Sequence, residues 1–284
     1  ESDYVPLKGD WAKLDLQNVN FSYDTSLVDY LPEDAIDLPK RRHGNTGLTE
    51  VSLSFRRGEK IAFIGHNGSG KTTLMSLLKG IYTPRKGFSL YVDGQPVADW
   101  RSLADTVTLF PQQPEIFEST VGYNLTLDLP FKEEDIEEAC KIAGFDTILE
   151  QLPGGLDFKI HENGGNLSGG QKQRLALARG ILASQSSSIV LLDEFTSNID
   201  QQTETEIYTA LFEAFKDKVI IWSVHQLNLL PLFDSICFLE KGKIVHQGDA
   251  GEVLQKMGEE QVSFLTEGLP ERAKLSEPSG LKTV

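Results

Sequence analysis

A glycine-rich segment is the first feature of the sequence with the composition of a binding site. Residues 65–72 read Gly-His-Asn-Gly-Ser-Gly-Lys-Thr and follow the apolar run at 61–64. Glycines let successive backbone N–H groups turn inward on a phosphate, while Lys71 reaches its outer oxygens and Thr72 offers a hydroxyl to Mg²⁺. A glycine-rich structural turn is the alternative. The segment predicts nucleotide binding, and by itself it fits a kinase, a GTPase or a motor.

Two carboxylates end a second apolar run. Residues 189–194 read Ile-Val-Leu-Leu-Asp-Glu. At the end of a buried strand, Asp193 can hold the water shell of Mg²⁺, and Glu194 can polarise a water for in-line attack on a γ-phosphate. Acidic residues that only cap a strand are common, so this pair alone leaves a structural role open.

A third segment carries the signal that points to a family. Residues 166–174 read Asn-Leu-Ser-Gly-Gly-Gln-Lys-Gln-Arg, which predicts a helix N-cap at Ser168. The two glycines after it allow a phosphate to approach the exposed N–H groups and the positive end of the helix. This segment resembles the signature sequence of ATP-binding cassette (ABC) proteins. The resemblance covers about residues 11–255, and further family motifs occur there in the family's order.

The resemblance implies a role for several other residues. Tyr23 would stack on adenine, Gln112 would join Mg²⁺ and the attacking water to a helical subdomain, and His225 would contact the γ-phosphate. From the residues alone, Tyr23 is equally an edge-strand aromatic and His225 a buried structural histidine. The implied catalytic residues are Lys71, Gln112, Glu194 and His225, and the implied Mg²⁺ ligands are Thr72, Gln112 and Asp193.

The family pattern also implies contacts with two nucleotides. The residues expected on the chain's own nucleotide are Tyr23, Gly65, Asn67, Gly68, Ser69, Gly70, Lys71, Thr72 and Thr73. Those expected on the ATP of a partner are Ser168, Gly169, Gly170 and Gln171, with Ser197 and Asp200 in a loop that crosses the dimer interface. Four positions depart from the usual pattern without removing a reacting group: Asn198 and Ile199 within that loop, Phe195 in place of a small residue, and Gln226 in place of a frequent arginine.

Apolar patterns predict the elements that position these motifs. Alternation predicts strands at 14–23 and 50–55, and apolar runs predict buried strands at 61–64, 189–192 and 219–224. Helical spacing predicts a helix bearing Leu74, Leu77, Leu78 and Ile81, mainly helical structure at 133–151, a helix at about 168–183 and a helix carrying Ile207, Leu211 and Phe215. Hairpins are predicted on Asp93-Gly94 and Lys241-Gly242, the second ending the folded part. Because strands and helices alternate, an α/β fold with a parallel sheet follows.

The resemblance refines this fold and divides the chain. It implies a P-loop NTPase (RecA-like) core with a mixed or parallel sheet, an antiparallel β subdomain and an inserted α-helical subdomain. A single nucleotide-binding domain is expected over 1–255, with its ATP-binding core at 11–110 and 170–250, its helical subdomain at 113–168, a loop insertion at 24–49 and a polar tail at 256–284. The insertion carries a basic cluster at 40–43, which is either a solvated loop or a contact with a partner domain or an anionic membrane leaflet.

Charge, apolar runs and cysteine spacing limit the function classes that fit this sequence. The chain has 42 acidic and 27 basic residues, a net charge of −15, so nucleic acid is not an expected partner. No apolar run approaches the roughly 18 residues needed to span a bilayer. Cys140 and Cys237 are far apart and lack metal-ligand spacing, which indicates packing residues in a reduced compartment.

Two segments favour the exporter branch of the family. Residues 111–125, after the glutamine motif, and residues 162–165, before the signature, both resemble exporter sequences. The resemblance therefore implies an ATPase that closes as a head-to-tail homodimer around two ATP and drives the transmembrane domain of an exporter, at the cytoplasmic face of the inner or plasma membrane. That membrane domain is expected to precede Glu1, because the sequence does not begin with methionine. A non-transport ABC ATPase or a nucleotide-dependent regulatory switch is the alternative, although an intact Glu194 disfavours an inactive switch.

Overall fold

The strands form two sheets of different kinds. A computed structural model describes residue 7 and residues 10–23, 47–195, 199–224 and 226–257. Its strands are β1 Lys13–Phe21, β2 Leu48–Arg56, β3 Lys60–Ile64, β4 Ser89–Val92, β5 Gln95–Pro96, β6 Val107–Phe110, β7 Ile189–Leu192, β8 Val219–Ser223, β9 Ser235–Glu240 and β10 Lys243–Asp249. An antiparallel sheet has the order β2-β1-β4-β5. The larger sheet, β10-β9-β3-β8-β7-β6, is parallel except for β10.

Helices cover the larger sheet and form a separate group between β6 and β7. The α-helices are α1 Lys71–Leu78, α2 Arg101–Ala104, α3 Val121–Thr126, α4 Glu133–Ile142, α5 Asp146–Gln151, α6 Gly169–Ala183, α7 Gln201–Ala214 and α8 Ala250–Lys256. Short 3-10 helices lie at Gly155–Asp157, Glu162–Gly164 and Leu227–Leu232. Helices α3 and α4 pack against α6. The predicted parallel sheet, antiparallel subdomain and inserted helices are therefore confirmed.

Alternating side chains of the larger sheet build two hydrophobic cores. On β3, Ile61 and Phe63 pack with α1 and the antiparallel sheet, whereas Ala62 and Ile64 pack with α6 and α7. Strands β7 and β8 divide in the same way between the two cores. Since both faces are covered, these strands are apolar at all but their end positions Lys60 and Ser223, and this is why short uninterrupted runs predicted them correctly.

Helix α1 ends earlier than the apolar spacing predicts. The expectation placed Ile81 on its buried face, but the helix stops at Leu78 and Ile81 is 57% exposed. Gly80 has a φ of 77°, and its N–H donates to Leu77 O at 2.8 Å while that of Ile81 donates to Ser76 O at 2.9 Å. This is the Schellman arrangement, in which a left-handed glycine reverses the chain and ends a helix.

Several other boundaries differ from the expectations. The helical region at 133–151 is split by Gly144, whose left-handed φ of 61° ends α4 before α5 begins. Strand β1 stops at Phe21, and the insertion expected through Thr49 ends sooner because β2 begins at Leu48. Helix α8 follows the last hairpin and extends to Lys256, so the hairpin does not end the folded part.

Parts of the expected organisation fall outside the described ranges. Residues 24–46, with the basic cluster, and residues 258–284, with most of the tail, are among them. In the part of the chain that is described, no helix combines the length and the apolar character needed to cross a membrane.

Candidate functional site

The parallel sheet gathers distant motifs at one edge. The glycine-rich loop follows β3, Gln112 follows β6, and Asp193 and Glu194 follow β7. These three strands run parallel to one another in the larger sheet. Parallel strands end at the same side of a sheet, and ligands bind in the crevice outside those ends. The fold therefore brings together three motifs that are far apart in the sequence.

The glycine-rich loop turns sharply between β3 and α1. Gly70 precedes α1 as its N-cap with a φ of 110°. Gly65 has a φ of 148°, and a Cβ there would overlap the carbonyl oxygen of Leu239. A side chain at Gly65 would therefore meet both an unfavourable backbone conformation and a steric conflict. The loop leads directly into the N-terminus of α1, where free N–H groups and the helix dipole favour an anion.

Lys71 is buried beneath this loop. Its side chain is 4% exposed, and its Nζ donates to the carbonyl oxygens of Gly65 at 2.6 Å and His66 at 3.3 Å. Burial lowers the pKa of Lys71 below its ordinary value, while the negative charges of Glu194 and Asp193 raise it. A buried ammonium group gains most from a nearby counter-charge, so the site favours a bound anion such as a phosphate.

Gln112 and Glu194 form a hydrogen-bonded pair across the cleft. The Gln112 Nε2 donates to Glu194 Oε2 at 2.6 Å. Glu194 has a φ of 47°, an uncommon left-handed conformation for a residue other than glycine. The next residue, Phe195, is buried, and its ring packs edge-on against Phe110 with centroids 5.8 Å apart. The phenylalanine that departs from the family pattern therefore has a packing role.

The oxygen donors near this pair fit a magnesium ion. Thr72 and Gln112 line the cleft, and Asp193, which is 4% exposed, precedes the cleft residue Glu194. Their hydroxyl, amide and carboxylate oxygens are hard ligands of the kind that Mg²⁺ prefers, and Mg²⁺ takes only a few such groups beside water and phosphate. The side chains expected as Mg²⁺ ligands therefore have suitable chemistry.

Two aromatic residues, Tyr23 and Tyr82, also line the cleft. Tyr23 lies two residues beyond β1, and its hydroxyl shares a hydrogen bond of 3.0 Å with Thr73 Oγ1. The ring of Tyr82 stands at 86° to that of Tyr23 with centroids 5.4 Å apart, and Phe21 packs against both rings. Tyr82 was not predicted as a site residue. It follows the glycine that ends α1, and no sequence periodicity marks it.

The glycine-rich loop, the Gln112–Glu194 pair and the two tyrosines line a single cleft with a volume of about 550 Å³. Its lining residues are Tyr23, Asn67, Gly68, Ser69, Gly70, Lys71, Thr72, Thr73, Tyr82, Gln112 and Glu194. Most of the residues expected on the chain's own nucleotide therefore meet in one place. Gly65 does not line the cleft, but its carbonyl oxygen accepts a hydrogen bond from Lys71 Nζ.

The predicted N-cap at Ser168 is confirmed, and Gln171 adds a capping box that was not predicted. Ser168 Oγ accepts from the N–H of Gln171 at 3.3 Å, and Gln171 Oε1 accepts from the N–H of Ser168 at 2.8 Å. This reciprocal capping box holds the start of α6 rigidly. Ser168 and Gly169 are exposed, and among the described residues the cleft lining includes none of residues 168–171. The structure therefore keeps the signature apart from the chain's own phosphate loop.

Asp200 has a structural function at the start of α7. Its Oδ1 accepts from the N–H of Thr203 at 3.0 Å, and this hydrogen bond lowers the pKa of the carboxyl group. The side chain therefore caps the helix. Ser197 and His225 lie outside the described residues, so their expected roles remain predictions.

The similarity to known proteins agrees with this geometry. A family model described as ABC transporter matches residues 48–197. The ATP-dependent lipid A-core flippase of Chromobacterium violaceum is 36% identical over 228 residues, 79% of this chain and 38% of that protein. The glutathione/L-cysteine transport system ATP-binding/permease protein CydD of Bacillus subtilis is 34% identical over 243 residues, 85% of this chain and 39% of that protein. The chain thus spans less than half the length of these relatives.

A solved structure matches the fold over nearly the whole chain. It is a bacterial Atm1-family ABC exporter with ATP bound, which aligns with a TM-score of 0.76 and 26% identity over 94% of this chain and 43% of that one. With the family match and the assembled cleft, this likeness leads to one assignment. The chain belongs to the ABC transporter family, as a nucleotide-binding domain of the exporter type.

Proposed function

We propose that this domain binds ATP with Mg²⁺ in the cleft and hydrolyses it as a head-to-tail homodimer to power export across a membrane. The observation that carries the proposal is the Gln112–Glu194 pair, which is joined at 2.6 Å in the same cleft as the buried Lys71. In this proposal the Glu194 carboxylate lies beside the terminal phosphate of the bound ATP. This is the placement needed to position and deprotonate an attacking water.

Each part of the cleft has a task in this proposal. The loop N–H groups and Lys71 hold the phosphates, and Tyr23 with Tyr82 holds the base. Glu194 orients the water and accepts its proton, while the hydrogen bond from Gln112 keeps the carboxylate in place. Thr72, Gln112 and Asp193 would hold Mg²⁺, which neutralises phosphate charge when it is bound.

The position of the signature supports a composite site between two copies. Helix α6 has a capped, positively polarised N-terminus, but Ser168 and Gly169 are exposed to solvent and do not line the chain's own cleft. A helix N-terminus of this kind favours phosphate. In a head-to-tail pair, residues 168–171 of one copy would complete the site around Lys71 of the other.

A surface of the helical region supports contact with a membrane domain. Phe117 and Leu127 are 38% and 40% exposed. Buried Asn124 holds the first of them in place, because it accepts from the Phe117 N–H and donates to the Phe117 carbonyl, each at 2.9 Å. We place the contact at residues 115–125 and near Glu162, at the cytoplasmic face of the membrane. The relatives' names mention different cargoes, lipid A-core and glutathione or cysteine among them.

The proposed dimer makes ATPase activity depend on protein concentration. We expect the purified domain to release phosphate from MgATP, with a specific activity that rises with protein concentration because each site needs two copies. Phosphate release is measured over a range of concentrations, with Lys71→Ala as the background control. Activity that is constant per chain would contradict the composite site. Binding of ATP without phosphate release would instead favour a regulatory switch.

We expect Tyr82→Ala to weaken ATP binding about fivefold or more, because Tyr82 orients Tyr23 edge to face and closes the cleft beside the base. The maximal rate should change little, since the phosphate contacts remain. The measurement compares KM and kcat for ATP, with Tyr91→Ala as the control, because Tyr91 lies on β4 and does not line the cleft. An unchanged KM in Tyr82→Ala would remove Tyr82 from the base site.

A further inference from the structure

A hydrogen bond joins an aromatic residue of the cleft to the helix that follows the glycine-rich loop. The hydroxyl of Tyr23 and Oγ1 of Thr73 lie 3.0 Å apart. Tyr23 follows β1 of the antiparallel sheet, whereas Thr73 lies in the first turn of α1, 50 residues further along the chain. Both residues line the cleft. The bond therefore connects the tyrosine ring to the helix that begins with Lys71.

The hydroxyl of Thr73 is suited to act as a fixed anchor. Thr73 is only 8% exposed, so water has little access to this group. A buried hydroxyl that loses its hydrogen-bond partner costs free energy, which favours keeping the bond to Tyr23. The branched Cβ of threonine also restricts rotation about χ1. The position of Oγ1 is thus set largely by the backbone of α1.

Neighbouring rings restrain Tyr23 from other directions. The ring of Phe21 stands at 83° to that of Tyr23 with centroids 4.9 Å apart, and the ring of Tyr82 stands at 86° with centroids 5.4 Å apart. Edge-to-face contacts of this kind limit where the ring can lie. The hydrogen bond acts at the end of the side chain opposite its Cβ. The Tyr23 ring is therefore held at both ends.

We propose that Thr73 is a positioning residue for Tyr23, and that its hydroxyl holds the ring in the orientation that binds the nucleotide base. This inference rests on the proposed function, in which Tyr23 contacts the base. A ring that is already held in its bound orientation loses less conformational entropy when the ligand binds. Without the anchor, ATP binding should weaken, while the chemical step at Glu194 should be unaffected.

Replacement of Thr73 by valine or serine tests the hydroxyl itself. Thr73→Val removes it with little change of shape. We expect the dissociation constant for ATP, measured by isothermal titration calorimetry, to rise about threefold to tenfold. KM should rise with it, while kcat stays within about twofold of the parent. Thr73→Ser keeps the hydroxyl and should bind ATP within about twofold of the parent. A loss in Thr73→Ser as large as that in Thr73→Val would overturn the inference.

The same hydrogen bond can be removed from its other end. Tyr23→Phe keeps the ring and lacks the hydroxyl, so we expect a similar loss of ATP affinity. The double variant should bind ATP no more weakly than either single variant, because all three lack one and the same bond. Losses that multiply in the double variant would mean that Thr73 acts on the nucleotide independently of Tyr23, contrary to the inference.

Tripolyphosphate separates an effect on the base from an effect on the phosphates, because it has no base. With Mg²⁺ present, we expect its affinity for Thr73→Val to equal its affinity for the parent. A loss as large as that for ATP would place the Thr73 hydroxyl on the phosphates and would overturn the positioning role.

The chain contains a matched control for the loss of a buried threonine hydroxyl. Thr106 is 5% exposed, its Oγ1 donates to the carbonyl of Leu103 at 2.8 Å, and it does not line the cleft. Thr106→Val therefore makes the same chemical change away from the nucleotide, and we expect it to bind ATP like the parent. A loss of affinity as large as that of Thr73→Val would show a general effect on the fold and would contradict the inference.

The remaining outcomes separate this inference from the proposed function. Parental ATP affinity in Thr73→Val would overturn the positioning role and leave the proposed ATPase intact. A parent domain that does not bind ATP would overturn both. Thermal unfolding of each variant checks the fold. If Thr73→Val does not fold, Tyr23→Phe has to show the loss of affinity for ATP with unchanged affinity for tripolyphosphate.

Discussion

The Glu194→Gln variant is expected to hydrolyse ATP at least about 100-fold more slowly than the parent while binding ATP and Mg²⁺ normally. In the proposed mechanism, the substitution removes the group that accepts the proton of the attacking water. It leaves Lys71 and the loop that holds the phosphates unchanged. Because bound ATP would persist, the variant should also accumulate as a dimer in the presence of ATP.

Single-turnover phosphate release and size-exclusion chromatography with MgATP check these expectations. Glu206→Gln is the matched control, since Glu206 is an exposed carboxylate on α7 outside the cleft. Hydrolysis near the parental rate in Glu194→Gln would remove Glu194 from the catalytic role. Loss of ATP binding would mean that the Gln112–Glu194 hydrogen bond is needed to hold the cleft open.

Two inactive variants are expected to recover activity when they are mixed. In the proposed dimer, Lys71→Ala would remove the phosphate contact of its own copy, and Ser168→Arg would block the signature that the copy offers to its partner. In a mixed dimer, one composite site carries both defects and the other carries neither. If mixed dimers form statistically and one intact site suffices, about a quarter of the parental activity should return.

The reverse arrangement of the same substitutions is the control. When both are placed in one chain and this double variant is mixed with the parent, a mixed dimer has one defect in each site. The activity should then fall below the simple average of the two proteins. Recovery absent from the first mixture, with mixed dimers verified by differently tagged chains, would contradict a site shared between copies.

The sequence alone determined the structural features that depend on residues adjacent in the chain. The glycine-rich loop before Lys71, the N-cap at Ser168 and the turn on Asp93-Gly94 all follow from local backbone conformation and hydrogen bonding. The buried strands were predictable because a strand covered on both faces is apolar throughout. With the family's motif order, these local signals located most of the lining of the cleft.

Helix ends were less predictable because a single residue decides them. The apolar spacing that placed Ile81 on a helix continues past Gly80, but the left-handed conformation of that glycine ends α1. The same event at Gly144 splits the predicted helical region in two. Apolar periodicity does not record such a reversal, although glycine makes it inexpensive.

Only the tertiary structure decided which distant side chains meet. Tyr82 joins Tyr23, Gln112 bonds Glu194, and Gln226 bonds Glu204 across long separations in sequence. These contacts depend on the order and direction of the strands and on the packing of helices against them, which no local pattern contains. The same packing buries Lys71 and leaves Ser168 and Gly169 exposed outside the lining of the cleft.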